Sequence, residues 1–227
     1  MAFTLNQVVP WGRSYNEYVA MFAMSKVDLK KKFLDCSGGP ASFNCVLTER
    51  GGNVISADPI YQFSADEIRS RISETYGEVI EQTRKNKNDF IWESISSIEE
   101  LGRVRMAAMN DFLCDYTTGK MAGRYLDVAL PALPFKDKEF DISLCSHFLF
   151  LYSEQLTEDF HFKSIKELCR VSSEVRIFPL LELDSRKSRH LEPIMKKLNK
   201  EGIEMSVEKV PYEFQKNGNE MIKISAT

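Results

Sequence analysis

Histidine is scarce in this chain, three in 227 residues, and the five cysteines (Cys36, Cys45, Cys114, Cys145 and Cys169) form neither a Cys-x-x-Cys pair nor a cluster with those histidines. That scatter argues against a thiolate or imidazole metal cage, so no metal ligand is assigned, and it suits buried thiols in a reducing, cytoplasmic setting. Also missing is a cationic N-terminal stretch leading into an apolar core and a small-residue cleavage site, so no signal peptide is expected. The longest strongly apolar run, Phe148 to Tyr152, is far too short to cross a bilayer. Nor is there a basic excess: a net charge of −3 gives no footprint for nucleic acid and points to a small-molecule or protein substrate.

What is present fits one globular unit. Hydrophobic residues at 43% and charged residues at 28% are ordinary values, and the length suits a single core carrying insertions. The organising stretch is Phe33 to Phe43, FLDCSGGPASF. It reads as a buried strand beginning near Val27 or Leu29, then a run in which nothing is larger than Pro40, then a helix from about Ser42 to Arg50. Small residues at such a turn let a ligand approach the backbone, and the first N–H groups of the helix would face it. A tight strand-to-helix connection explains the same residues.

A second feature lies 19 residues after Gly39, where Val54, Ile55 and Ala57 form a short strand that ends at Asp58. A carboxylate at that spacing accepts ribose hydroxyls in strand–helix–strand nucleotide sites. The alternative is that Asp58-Pro59 only ends a strand and starts a turn.

The remaining elements follow from caps and periodicity. Ser14 with Glu17 is a capping box for a helix bearing Tyr15, Tyr18, Val19 and Phe22, and Ser64 with Glu67 is a second, for a helix running to about Arg84. After a polar break at 85–89 the spacing predicts another helix over Ile98 to about Tyr116. Strands are expected at Gly123 to Leu130, Phe140 to Cys145 and Glu174 to Leu181, with helices at about Thr157 to Arg170 and His190 to Glu201. Met205 to Phe214 and Glu220 to Ser225 then pair across the Asn217-Gly218 turn as an antiparallel hairpin.

These motifs jointly resemble the class I S-adenosylmethionine (SAM)-dependent methyltransferases. LDCSGGPAS keeps Asp35, Gly39 and Pro40 of the family's first motif, while Ser37 and Ala41 stand where glycines are common. LPFKDKEFDISLCSHFLFLY, from Leu133 to Tyr152, resembles the fourth-strand segment. The resemblance implies an α/β fold: a seven-stranded, mostly parallel, doubly wound sheet with an antiparallel C-terminal hairpin strand, helices on both faces and a helical insertion after strand 2. It divides the chain into an N-terminal helical cap segment (1–26) and a methyltransferase-like domain (27–227) with the insertion at about 61–120. The insertion serves either substrate specificity or as a scaffold or dimer surface.

The implied cofactor is SAM, with S-adenosylhomocysteine (SAH) as product. Its binding set is Asp35, Ser37, Gly38, Gly39, Asp58, Pro59, Ala129, Leu130 and Ser146, with Arg13 or Tyr15 meeting the methionine carboxylate. Arg13 left in solvent and Tyr15 packing its own helix is the other reading. Many relatives carry an acid at the position of Ala129, so that contact is absent or made by backbone. His147 is the candidate general base, its ordinary pKa suiting proton acceptance at neutral pH; alternatively it orders its loop. Tyr152 and His161 are weaker candidates, and Arg176, Pro179 and Tyr212-Glu213 are possible substrate neighbours. The implied reaction is direct methyl transfer to an acceptor, small-molecule before protein. A catalytically silent SAM-binding module and an NAD-linked oxidoreductase are the alternatives; the tail hairpin speaks against the latter.

Overall fold

The computed structural model describes residues 9–226; the first eight residues of the expected cap segment lie outside them. Its centre is a seven-stranded sheet in the order β3-β2-β1-β4-β5-β7-β6. Strand β1 (Lys32–Cys36) pairs in parallel with β2 (Asn53–Ala57) on one side and β4 (Phe140–Ser146) on the other. The parallel set continues to β3 (Tyr125–Leu126) and β5 (Ser172–Phe178). Strand β7 (Glu220–Ser225) runs antiparallel between β5 and β6 (Glu204–Lys209). The expected mostly parallel sheet with an antiparallel end is therefore present.

Alternation along β1 builds the two layers. Phe33 packs into a core beneath α1 (Tyr15–Met21) and α2 (Phe43–Glu49), whereas Leu34 packs into one beneath α5 (Glu158–Val171) and α6 (Leu191–Lys200). Both strand faces are covered, which is why β1 and β4 are almost continuously buried. A third core joins α3 (Ala65–Lys85) to α4 (Ile98–Met121) around Tyr61, Phe112 and Tyr125. Both predicted capping boxes form, Ser14 with Glu17 and Ser64 with Glu67.

Four expected strand boundaries differ, each for a physical reason. Residues 28–30 make a single 3-10 turn, held by reciprocal Ser25 and Asp28 bonds, so β1 begins at Lys32. Strand β3 has two residues rather than eight, because β2 leaves the sheet after Ala57 and offers 127–130 no partner. Strand β5 stops at Phe178, before Pro179. Strand β6 stops at Lys209: Val210 N–H still reaches Asn219 O at 2.9 Å, but Pro211 follows, and its ring fixes φ at about −65°, away from the strand value. The Asn217-Gly218 turn thus sits inside a longer connection, with Asn217 at φ 63°. Helix α4 runs past Tyr116 to Met121.

Candidate functional site

The C-terminal ends of β1, β2, β4 and β5 open into one cavity of about 440 Å³, lined at one end by Ser37, Gly38, Gly39, Asp58, Pro59 and Ser146. Ser37 and Gly39 take left-handed backbone angles (φ 58° and 56°). Where a β-carbon on Gly39 would stand there is nothing within 4 Å, so this stretch of backbone lies open to the cavity. Gly38 is confined instead: its β-carbon would lie 2.4 Å from Oδ2 of Asp35.

Asp58 fixes the turn. Its Oδ2 accepts from Gly39 N–H at 2.9 Å across 19 residues, and its Oδ1 accepts from Ile60 N–H at 2.8 Å, capping the 3-10 turn 59–62. The turn-starting reading of Asp58 is met by these bonds, and the residue also lines the cavity. Burial, offset in part by those two N–H bonds, pushes its carboxyl up to about 6. Tyr61 Oη donates to Gly39 O at 2.8 Å, tying the turn to the third core.

Asp35 lies beneath the turn rather than on the cavity wall. It accepts from Tyr18 Oη at 3.1 Å and Ser56 Oγ at 3.2 Å, and burial raises it to about 7 against those bonds. Tyr15 is also away from the cavity: its ring stacks on Phe43 with Arg50 across it, and its N–H donates to Ser42 Oγ. The N-cap amide of α2 is engaged rather than free, since Ser42 N–H donates to Arg13 O at 3.0 Å. The segment before α1 thus clamps the glycine turn, and Gly12 leaves no room for a β-carbon against Pro40 O, which would be 2.1 Å away.

Arg13, Ala129 and Leu130 line the cavity. Arg13 donates to Trp11 O at 2.6 Å while its buried Nε has no partner. Burial, then the neighbouring Arg105 charge, lowers its guanidinium to about 10. His147 lines the cavity at φ 51°, with Nδ1 2.9 Å from Ser146 Oγ and its ring edge-on to Phe178. Burial and the two arginines push it well below its ordinary value, so it is neutral at pH 7. Tyr152 and Pro179 also border the cavity.

His161 is held inside the fold by Thr157 O and Leu149 O, both at 2.8 Å. Arg176 turns away to Phe22 O, Glu174 and Asp28. Glu213 accepts from Asn217 N–H and Asn219 Nδ2 within its own loop.

Of the groups at the far end, Tyr212 was expected as a substrate neighbour and Glu17 only as a helix cap, while Arg105 was missed. Arg105, fully buried on α4, places Nη1 2.6 Å from both carboxylate oxygens of Glu17, and Tyr212 Oη donates to Glu17 Oε1 at 3.0 Å. Burial opposes ionisation of Glu17, but Arg105 and Arg13 outweigh it and hold the carboxyl down at about 2. The available signal was a charge on an apolar stripe: Leu101, Arg105, Met109, Phe112 and Tyr116 share one face of α4.

No helix among the described residues is long and apolar enough to cross a membrane, and no group of three or more His, Cys, Asp or Glu among them is placed to hold a metal ion. No family model matches the chain. It is 37% identical over 221 residues, 97% of each chain, to the uncharacterized protein MJ0045 of Methanocaldococcus jannaschii. Among solved structures it is similar to the PH0226 protein of Pyrococcus horikoshii OT3 (TM-score 0.50, 12% identity, 94% of this chain and 91% of that one). It is also similar to the magnesium protoporphyrin IX methyltransferase ChlM of Synechocystis PCC 6803 with bound SAM (TM-score 0.49, 11% identity, 94% of this chain and 78% of that one). The sheet, with β7 antiparallel between β5 and β6, is the seven-stranded, mostly parallel α/β arrangement expected from the sequence.

Proposed function

The chain belongs to the family that includes MJ0045, and on that premise we propose that it is a SAM-dependent methyltransferase acting on a small-molecule acceptor. The observation that carries this reading is the pair Gly39 and Asp58, which joins an open-backed turn at β1 to a carboxylate at the end of β2 in one cavity. A nucleoside fits that pair, because each Asp58 oxygen gives one lone pair to a backbone N–H and keeps another for a ribose hydroxyl. The unpartnered Nε of Arg13 suits the methionine carboxylate. Pro59, Ala129, Leu130 and Ser146 border the bound cofactor, and Asp35 supports the turn from below.

When bound, SAM supplies a methyl group on an electron-poor sulfonium. The chain's part is to align an acceptor with it and exclude water, and alignment of this kind lowers barriers by several kcal/mol. His147, neutral and tethered through Nδ1 to Ser146, keeps Nε2 for a proton leaving the acceptor.

Calorimetric titration with SAM and SAH tests the reading. Micromolar binding, about −8 kcal/mol, is expected for both, weakened by about 1.5–3 kcal/mol in Asp58→Ala. Binding of neither ligand by wild type overturns it. A cofactor that binds but gives up its methyl group to no acceptor would favour the catalytically silent alternative, for which Ser37 and Ala41 in place of glycines speak.

A further inference from the structure

We infer that the far end of the cavity is a carboxylate-binding subsite for the acceptor, built on Arg105, so that the substrate class is a small organic acid with a planar apolar body. The inference deepens the proposed methyl transfer and rests on that reading for the word acceptor. Arg105 is 0% exposed, and only Nη1 is used, by Glu17; Nε and Nη2, the atoms of its side-on edge, have no hydrogen-bond partner. Tyr212, which also adjoins the guanidinium, gives its proton to Glu17. An arginine edge with two free donors in a fixed plane matches the two oxygens of a carboxylate, and buried charged donors left unpaired are costly. The ionic balance agrees, because Arg13 and Arg105 face the single carboxylate of Glu17 while His147 is neutral.

Position separates this edge from the proposed cofactor. The nucleoside pair belongs to β1 and β2, whereas Tyr212 packs on Phe178 at the end of β5, 5.7 Å between ring centroids. Strand β5 lies two places from β1 in the sheet, about 10 Å. Phe178, Tyr212, Phe90 and Phe214 line the same end, with the last two stacked at 4.9 Å. Aromatic walls with one oxyanion clamp favour a flat acid over a sugar or a polyamine.

The test is titration of SAH-loaded protein with benzoate, phenyl phosphate and benzamide. Benzoate is expected to bind at least tenfold more tightly than neutral benzamide. Arg105→Lys, which keeps a cation for Glu17 but has no side-on edge, is expected to lose that preference with SAH affinity unchanged within about twofold. A paired Glu17→Gln, Arg105→Gln variant removes both buried charges together and serves should Arg105→Lys fold poorly. Phenyl phosphate binding tighter than benzoate would assign the edge to phosphate, and equal binding of all three would abolish the subsite. A loss of SAH affinity in Arg105→Lys, with 5′-methylthioadenosine affinity retained, would hand Arg105 to the methionine carboxylate; either result overturns the proposal. If SAH itself does not bind, the cofactor reading fails separately, and benzoate titration of the unliganded chain still decides the fate of the Arg105 edge.

Discussion

The Gly38 α-carbon stands directly over the Asp35 carboxylate, so close that any β-carbon would fall 2.4 Å from Oδ2 and 2.8 Å from Oδ1. Oδ2 and Oδ1 are also bonded by Ser56 and Tyr18, respectively, so the carboxylate has little freedom to yield. Gly38→Ala is therefore expected to displace the turn, lowering stability by about 1–3 kcal/mol and SAH affinity by tenfold or more. Denaturant unfolding alongside calorimetry separates the two effects. A variant with wild-type stability and affinity would show that the turn relaxes freely.

Opposed carboxyl groups give stability a maximum in mildly acidic solution. Asp35 is raised to about 7 and Asp58 to about 6 in the fold, so between about pH 4 and 7 the unfolded chain ionises them while the folded chain keeps their protons. Stability from these two groups falls as pH rises through that window and is level above it. Glu17, held at about 2, acts the other way: its contribution is present above its unfolded value and is lost as pH falls from about 4.5 toward 2. The cofactor-free chain should be most stable at about pH 4, where the two windows meet, and Asp35→Asn should flatten the decline toward pH 7 by a few kcal/mol. A thermal-unfolding series from pH 3 to 8 on both proteins checks the slope; a rise from pH 5 to 7 in wild type contradicts it.

Tyr212→Phe removes one hydrogen bond to a buried carboxylate and leaves the ring against Phe178. The expected loss is about 1.5–3 kcal/mol, because the acceptor is charged. Urea unfolding with an unchanged m-value is the readout. A neutral result would mean that Arg105 alone satisfies Glu17.

His147→Asn tests the proton-accepting role, since Asn tolerates the left-handed backbone that position 147 adopts. If Nε2 takes the acceptor's proton, kcat falls 10²- to 10⁴-fold with SAM affinity retained, and the acidic limb of the pH–rate profile disappears. Equal kcat in both proteins would leave His147 the task of shaping its loop.

Legibility in the sequence tracked chain distance. The turn at Ser37 to Gly39 and its partner Asp58 were readable because a strand–helix–strand unit places them together at fixed spacing, and the capping boxes at Ser14 and Ser64 are local. Glu17 was legible as a cap but not as the counter-charge of Arg105, which lies 88 residues away. Within α4, Arg105 follows Glu99, Glu100 and Arg103, so composition alone presents it as one more solvated charge. Tyr212 was named as a substrate neighbour but placed on a strand running through Phe214; Pro211, with φ fixed at about −65°, ends that strand, and Tyr212 and Phe214 line the cavity. Asp35 was placed on the correct strand, but which way its carboxylate faced depended on Tyr18 and Ser56, from two other elements.

The Glu17, Arg105 and Tyr212 knot also governs how this chain tolerates being cut. Its members come from the first helix, the inserted helix and the connection before the last strand, and each satisfies a group that another buries. A chain shortened to begin at residue 27 would keep every strand of the sheet, yet it would retain an interior guanidinium stripped of its counter-ion. The leading segment is thus a structural member of the domain, and a helix that looks detachable at one end of the sequence sets the electrical neutrality of the middle.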